Sequence, residues 1–405
     1  MSTKDLIFDS QRFTHIDSVL HRYVDEGKLP GVQLAVTHRG EVVHRDCYGH
    51  TDVDAGTPVK PDTVYRIYSM TKPIVSVALM MLFEEGHFLL DDPVTNWIPE
   101  LADLQVWTGG TADAPETKPA ETPITIHHLL THTAGFTYGF QYAHPVDELY
   151  RRAEVGDFVV PTYDLDEMMV RLGKLPLLFE PGTQWGYSVA TDVCGALVQR
   201  ISGERLDDHV RRRILDPLGM VDTGFNAPEE SVDRCSVLYA TLPGLEPRTA
   251  IAPAAAMTEA PLLLSGGAGL VGTTDDYLRF AHLLLNGGEL DGVRLLSPRT
   301  LSLMTRNHLP DGRDMNSMGQ ATFSETEMAG MGFGLGFGVL IDGAANRTLA
   351  AEGTFAWGGA ASTAFWVDPA TEVCMVFMTQ LLPSNVYPLR KHLQVGIYQA
   401  LGNPR

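Results

Sequence analysis

The residues best suited to covalent chemistry stand at three separated places in the chain. The first is Ser69-Met70-Thr71-Lys72, which opens a stretch, Ile74 to Phe83, that is apolar nearly all round. Such a stretch reads as a central, buried helix. A helix starting at about Ser69 or Met70 puts positions i and i+3 one turn apart on one face, where the Ser69 hydroxyl and the Lys72 amine can share a hydrogen bond. That start also accommodates Pro73, which a helix accepts only near its beginning. A serine hydroxyl is a poor nucleophile at neutral pH and needs a neighbouring base or an electropositive setting. The helix N-terminus and a desolvated Lys72 of lowered pKa would supply both. The plainer alternative is a capping serine followed by a surface lysine, which the buried helix beyond it disfavours.

The second place is Pro181-Gly182-Thr183-Gln184-Trp185-Gly186-Tyr187-Ser188-Val189-Ala190, a Pro-Gly turn and aromatic loop leading into a helix at Thr191. It could present Tyr187 on a cleft wall, as a base if Lys72 lowers the phenol pKa from about 10. Its alternative is a core tyrosine at a loop–helix junction. The third is Trp357-Gly358-Gly359-Ala360-Ala361-Ser362, opening a strand. Glycines there let the backbone approach a ligand, and the amide that follows, with that of Ser69, would form a two-donor oxyanion hole. The alternative is a strand bend in which glycine relieves a clash. Phe136, Tyr138 and Trp185 are candidates for the acyl or alcohol pocket, or for the core. His128 and His132 stand at i, i+4 beside His127, but no HExxH accompanies them and no metal is expected. Gly332 to Gly338 lacks the GxGxxG spacing and reads as a loop feeding a strand near the site, so no dinucleotide cofactor is expected. Gly-x-Ser-x-Gly does not occur.

The elements that must position these residues are assembled from both chain ends. A helix spans about Ser10 to Glu26, and two strands flank a turn at His38-Arg39-Gly40. Helical segments follow at His127–His132, Asp164–Leu172, Thr191–Ile201 and Arg205–Leu215, with Gly109–Pro123 as an exposed loop. Thr274–Leu285 is a helix capped by Thr273. Residues 310–334 read as a mobile loop. Strands return at Gly336–Ile341, Ala361–Val367 and Glu372–Met378, and a helix from Ser384 to Leu401 closes the chain. Neither set of strands makes an adequate sheet alone. An α+β fold with one antiparallel sheet is therefore expected, residues 1–90 and 270–405 forming a sheet domain, 91–269 a mainly helical one, and the active-site cleft lying between them.

In this order the three signals resemble the serine β-lactamase/penicillin-binding-protein superfamily, and within it the class C β-lactamase-like esterases called family VIII carboxylesterases. Ile126-His-His-Leu-Leu-Thr-His-Thr-Ala-Gly135, Ile214-Leu-Asp-Pro-Leu-Gly-Met220 and Gly266-Gly-Ala-Gly-Leu-Val-Gly-Thr-Thr-Asp-Asp276 agree with it, and the likeness runs from about residue 12 to 400. It implies the β-lactamase/transpeptidase-like fold, Ser69 as nucleophile, Lys72 and Tyr187 as general base, and Ser69 and Ala360 as the oxyanion-hole amides. Trp357-Gly358-Gly359 falls where β-lactamases carry Lys-Thr-Gly, and Val189 where Tyr-x-Asn has its Asn. Both departures remove groups that hold a β-lactam. The resemblance thus implies cleavage of carboxylic esters, short-chain acyl esters in particular, without a cofactor. An acyltransferase, a weak β-lactamase or D-peptidase, and a catalytically silent ligand-binding relative stay open as alternatives.

Composition bounds the partners. The 405 residues include 50 Asp and Glu against 30 Lys and Arg, a formal charge of −20. That balance disfavours nucleic acid and anionic membrane as partners and leaves a small-molecule ester. With 44% hydrophobic and 20% charged residues the chain is an ordinary globular one, of two or three structural units by length. The start lacks an apolar signal segment, no run is long enough to span a membrane, and Cys47, Cys194, Cys235 and Cys374 form no CxxC pair. Cytoplasmic residence with reduced cysteines is expected.

Overall fold

The computed structural model describes residues 6–242, 245–319 and 328–402. Strands β1 (Gly31–His38) and β2 (Glu41–Asp52) form the expected hairpin. Arg39 and Gly40 both take left-handed backbone (φ 55° and 81°), the two-residue turn whose twist suits paired strands. With β3 (Thr57–Pro58), β4 (Met331–Phe333), β5 (Gly338–Leu340), β6 (Phe355–Gly358), β7 (Ala364–Asp368) and β8 (Val373–Met378) they build an eight-stranded sheet in the order β4-β5-β6-β7-β8-β1-β2-β3. Its neighbours are antiparallel throughout. The two chain ends meet where β8 pairs with β1, from Val373 opposite His38 to Met378 opposite Gln33. Every residue of β1 and β8 is buried, so both faces of the central sheet are covered.

Five helices matter for the site: α1 (Thr14–Asp25), α2 (Thr71–Glu84), α3 (Ala190–Ser202), α4 (Thr274–Leu285) and α5 (Leu389–Tyr398). The terminal helices α1 and α5 pack closely enough at Gly396 that a Cβ there would lie 2.6 Å from Ile16 Cβ. Helix α4 lies on the sheet through Tyr277, whose ring is 4.9 Å from that of Phe365. Helix α2 is buried continuously from Thr71 through Leu82, as its unbroken apolar sequence requires. Pro73 is its third residue, inside the first turn where no intrahelical N–H bond is lost.

The middle of the chain is less purely helical than the sequence suggests. Gly109–Pro123, expected as a loop, lies largely in a β-hairpin of Gln105–Thr111 and Ala114–Pro119. Every residue of its second strand is exposed, so no alternating apolar pattern marks it. Residues 310–334, expected as a mobile loop, carry a helical turn at Met315–Met318 and strand β4, while 320–327 lie outside the described residues. The closing helix runs from Leu389 only to Tyr398. Among the described residues no helix is long and apolar enough to cross a membrane, and no cluster of His, Cys, Asp and Glu is suited to hold a metal ion.

Candidate active site

A single turn of 3-10 helix, Tyr68–Met70, leads into α2. Tyr68 holds a left-handed backbone (φ 44°), costly for a bulky side chain and characteristic of a constrained bend. Ser69 follows directly and is buried. Lys72, one turn on and 1% exposed, donates from Nζ to Ser69 Oγ at 3.1 Å and to the carbonyl of Gly267 at 2.8 Å. The helix start is pinned from the far side of the chain. Tyr277 donates its hydroxyl to the Met70 carbonyl at 2.8 Å, and the Leu270 amide donates to Thr71 Oγ1 at 3.1 Å.

Tyr187 comes from the loop before α3. Its backbone carbonyl accepts from Gln141 Nε2 at 2.6 Å, and its neighbour Ser188 bonds His132 Nδ1 at 3.2 Å. Lys72 Nζ lies 4.6 Å from the Tyr187 ring centre and 5.4 Å from that of Tyr138. On the other side Trp357, in β6, donates its indole N–H to the Tyr187 hydroxyl at 3.2 Å. Ser69, Lys72, Tyr187 and Trp357 are thereby linked in one continuous cluster. His132 packs against it, 5.1 Å from the Tyr187 ring. Burial foremost, and then the Lys72 charge, push its pKa well below the ordinary imidazole value, so it is neutral.

The Gly358-Gly359-Ala360 bend touches the segment that leads to Ser69. A Cβ at Gly359 would fall 2.3 Å from Thr363 Oγ1 and 2.5 Å from the Ile67 carbonyl, and one at Gly358 would strike the Arg390 guanidinium. Glycine at both positions lets the bend close against residues 67–69. Arg390 Nη2 donates to the carbonyls of Gly359 and Thr363 at 3.3 and 3.1 Å and holds the bend from beneath. The Ala360 amide meets no backbone acceptor among the described residues.

Two apolar cavities adjoin this centre. One, of about 500 Å³, is lined by Ala360 with Phe140, Phe158, Ile251 and Leu382. The other, of about 280 Å³, shares Phe140 and Phe158 and is lined also by Tyr68, Tyr138 and Asp192. Tyr138 therefore does face the cleft. Phe136 and Trp185 do not line either cavity: both are wholly buried, and Trp185 lies behind Tyr187, its ring stacked at 6.3 Å. Their conversion from pocket to core reflects the loop folding back on itself, since the Gly186 amide donates to the His132 carbonyl. Asp192, Gly267, Phe140 and Phe158 belong to the site although sequence reasoning passed over them. The one visible signal is the glycine-rich phrase at 266–269; Asp192 carries no mark beyond its place in the first turn of α3.

A family model described as Beta-lactamase matches residues 16–399, nearly the whole chain. The chain belongs to the β-lactamase family. Esterase EstB of Burkholderia gladioli is 35% identical over 401 residues, covering 95% of this chain and 94% of that esterase. Protein Rv1367c of Mycobacterium tuberculosis is 36% identical over 362 residues, covering 89% of this chain and 88% of that protein. Among solved structures, EstCE1, described as a hydrolase with promiscuous acyltransferase activity, superposes with a TM-score of 0.80 at 27% identity and covers 96% of this chain and 99% of its own. The β-lactamase/transpeptidase-like fold follows, and with it membership of a superfamily of serine enzymes that includes esterases and acyltransferases. At position 357, on the other side of the tyrosine from Lys72, this chain carries a neutral indole.

Proposed function

We propose that the protein is a carboxylesterase that works through an acyl-enzyme on Ser69. The observation that carries this reading is the buried Lys72 amine, 3.1 Å from Ser69 Oγ and against the Tyr187 ring. Ser69 Oγ attacks the ester carbonyl carbon while its proton passes to the Lys72–Tyr187 pair. The amides of Ser69 and Ala360 receive the charge that develops on the carbonyl oxygen. Collapse of the adduct breaks the bond to the alcohol oxygen, which takes up that proton and leaves. Water then adds to the acyl carbon, giving a proton to the same pair, and the acid departs as Ser69 regains its hydrogen.

An uncharged ester suits the walls. Trp357 contributes a neutral donor to the centre, and the cavity beside Ala360 is mostly apolar, which favours a substrate without a carboxylate or phosphate on the arm it holds. Short-chain acyl esters are the expected class, and nitrocefin should turn over slowly if at all. Ser69→Ala should abolish hydrolysis of p-nitrophenyl butyrate, and the intact mass of the wild type should rise by one acyl group during turnover. Substantial turnover by Ser69→Ala would sink the proposal.

The apolar surroundings also favour a second outcome, transfer of the acyl group to an alcohol, because water competes poorly in a cavity of this lining. The partition between acid and new ester, measured with added butanol, separates the two activities.

A further inference from the structure

A buried carboxylate stands in this site that none of the steps above uses. Asp192, the third residue of α3, is 3% exposed. Its Oδ1 accepts from Ser265 Oγ at 2.5 Å and from the Gly267 amide at 3.1 Å, and the carbonyl of that same Gly267 accepts from Lys72 Nζ at 2.8 Å. A Cβ on Gly267 would lie 2.6 Å from Asp192 Oδ2 and 3.1 Å from the Tyr138 hydroxyl. The carboxylate, the phenol and the ammonium thus converge on one residue, where only glycine fits. The first turn of α3 adds its positive end to the carboxylate's surroundings.

We propose that Asp192 is a positioning residue that keeps Lys72 charged in the resting enzyme, so that Tyr187 is the group that accepts the Ser69 proton. An ammonium buried without a counter-charge gives up its proton, whereas one facing a carboxylate retains it. Among the described residues, the neighbours His132, Tyr163 and Cys194 supply no negative charge. His132 is neutral, as argued above. Burial, with the Asp192 charge among the smaller causes, pushes the Tyr163 phenol up to about 12 and the Cys194 thiol above its ordinary range. Tyr138 and Tyr187 are phenols whose rings face the ammonium. Burial raises the Asp192 pKa, and the Ser265 hydroxyl, the Lys72 charge and the Gly267 amide, in that order, offset only part of that rise. A lysine held as ammonium cannot take a proton, but it favours a phenolate beside it. The indole N–H of Trp357 is a donor only, so it engages the Tyr187 oxygen as an acceptor, the role a proton-accepting phenolate requires.

The proposal rests on Ser69 being the nucleophile, and its test separates the two. Asp192→Asn keeps the side-chain shape and removes the charge. The alkaline limb of kcat/KM, which reports loss of the Lys72 proton, should move down by about one pH unit or more once the carboxylate that favours the ammonium is gone. The limbs belong to the coupled pair, so the whole profile is fitted and the position of its alkaline limb is the quantity read. A variant whose limbs stay at the wild-type positions, at full or uniformly reduced activity, would overturn the role given to Asp192. Should Asp192→Asn not fold, Ser265→Ala removes a bond that favours the ionised carboxylate. Its acid limb should then move up, and an unmoved limb overturns the proposal equally. Ser69→Ala with retained turnover would instead remove the underlying esterase reading.

Discussion

The hydrogen bond from Trp357 to Tyr187 offers a sharp test of which group takes the proton. Trp357→Phe keeps an aromatic ring between Tyr187 and Phe333, each 5.3 Å away by ring centres, and deletes the indole N–H that lies 3.2 Å from the Tyr187 hydroxyl. If Tyr187 stands as a phenolate ready to take the Ser69 proton, the lost bond is one to a charged acceptor, and such bonds contribute about 1.5–3 kcal/mol. At about 1.4 kcal/mol per factor of ten, kcat/KM should fall roughly 10- to 150-fold. The same loss raises the phenol pKa, so the acid limb of the pH profile should move up by about one to two units.

The smaller ring also leaves a gap, for Trp357 is 2% exposed. That costs stability, about 1–3 kcal/mol for a change of this size, and appears as a lower melting temperature. The two effects separate in the data, because a packing defect scales activity uniformly across pH while a lost donor displaces the limb. Initial rates with p-nitrophenyl butyrate from pH 5 to pH 10, beside a thermal melt, read both. Wild-type kcat/KM with an unmoved acid limb would refute the role given to the Tyr187 oxygen, whatever the melt shows.

Three further outcomes follow from the geometry. Gly267→Ala places a methyl against Asp192 and the Tyr138 hydroxyl; it should cost about 1–3 kcal/mol of stability and at least about tenfold in kcat, read by urea unfolding and ester turnover, and unchanged kcat would contradict the contact. Phe158, half-exposed and shared by both cavities, should affect substrates by size: Phe158→Ala raises KM about five- to thirtyfold for esters with a bulky apolar arm and leaves p-nitrophenyl acetate nearly unaffected, whereas equal effects on both would remove it from the pocket. His127 is held down to about 4 by burial, then by the charges of His308 and His128. Its folded pKa lies below the unfolded one, so the unfolded chain binds the proton first and stability falls as pH drops from about 6.5 to about 4, by up to about 3 kcal/mol from this group. Asp276, pushed up to about 6 mainly by burial, works in the opposite direction in that window but is common to both proteins, so His127→Gln should show the shallower loss between pH 7 and 4.5, and an identical loss would count against the burial of His127.

What the sequence revealed of this site depended on how far apart its parts lie along the chain. Ser69 and Lys72 are three residues apart on a helix whose burial is written in its own composition, so their pairing could be read locally. The glycine-containing turn at His38-Arg39-Gly40, which the fold narrows to Arg39-Gly40, and the Thr273 cap, whose side chain accepts from the Asp276 amide at 3.2 Å, were legible for the same reason. Asp192 and Gly267 are 75 residues apart, and nothing in either neighbourhood points to the other. An acid in the first turn of a helix is ordinary, and a glycine run explains itself as a loop until a neighbour is seen to exclude a Cβ. The aromatic residues failed in another way. Phe136, Tyr138, Phe140 and Trp185 are interchangeable by type, and the backbone path alone decides that Tyr138 and Phe140 reach the cleft while Phe136 and Trp185 enter the core.

The neutral indole at 357 and the buried carboxylate at 192 constrain each other. A phenolate at Tyr187 needs positive potential, and an indole N–H supplies a dipole where a lysine would supply a full charge. The remaining positive charge against the ring is that of Lys72, so its retention matters more in this site than in one with two ammonium groups. Asp192 secures it through Gly267, inside a region closed to solvent where the pair's attraction is little screened. The carboxylate also balances the ammonium, which leaves the cleft without a surplus of positive charge to attract an anionic substrate. Under the proposed function, one arrangement thus serves both a tyrosine that takes the Ser69 proton and a cleft that selects esters by apolar shape instead of by charge.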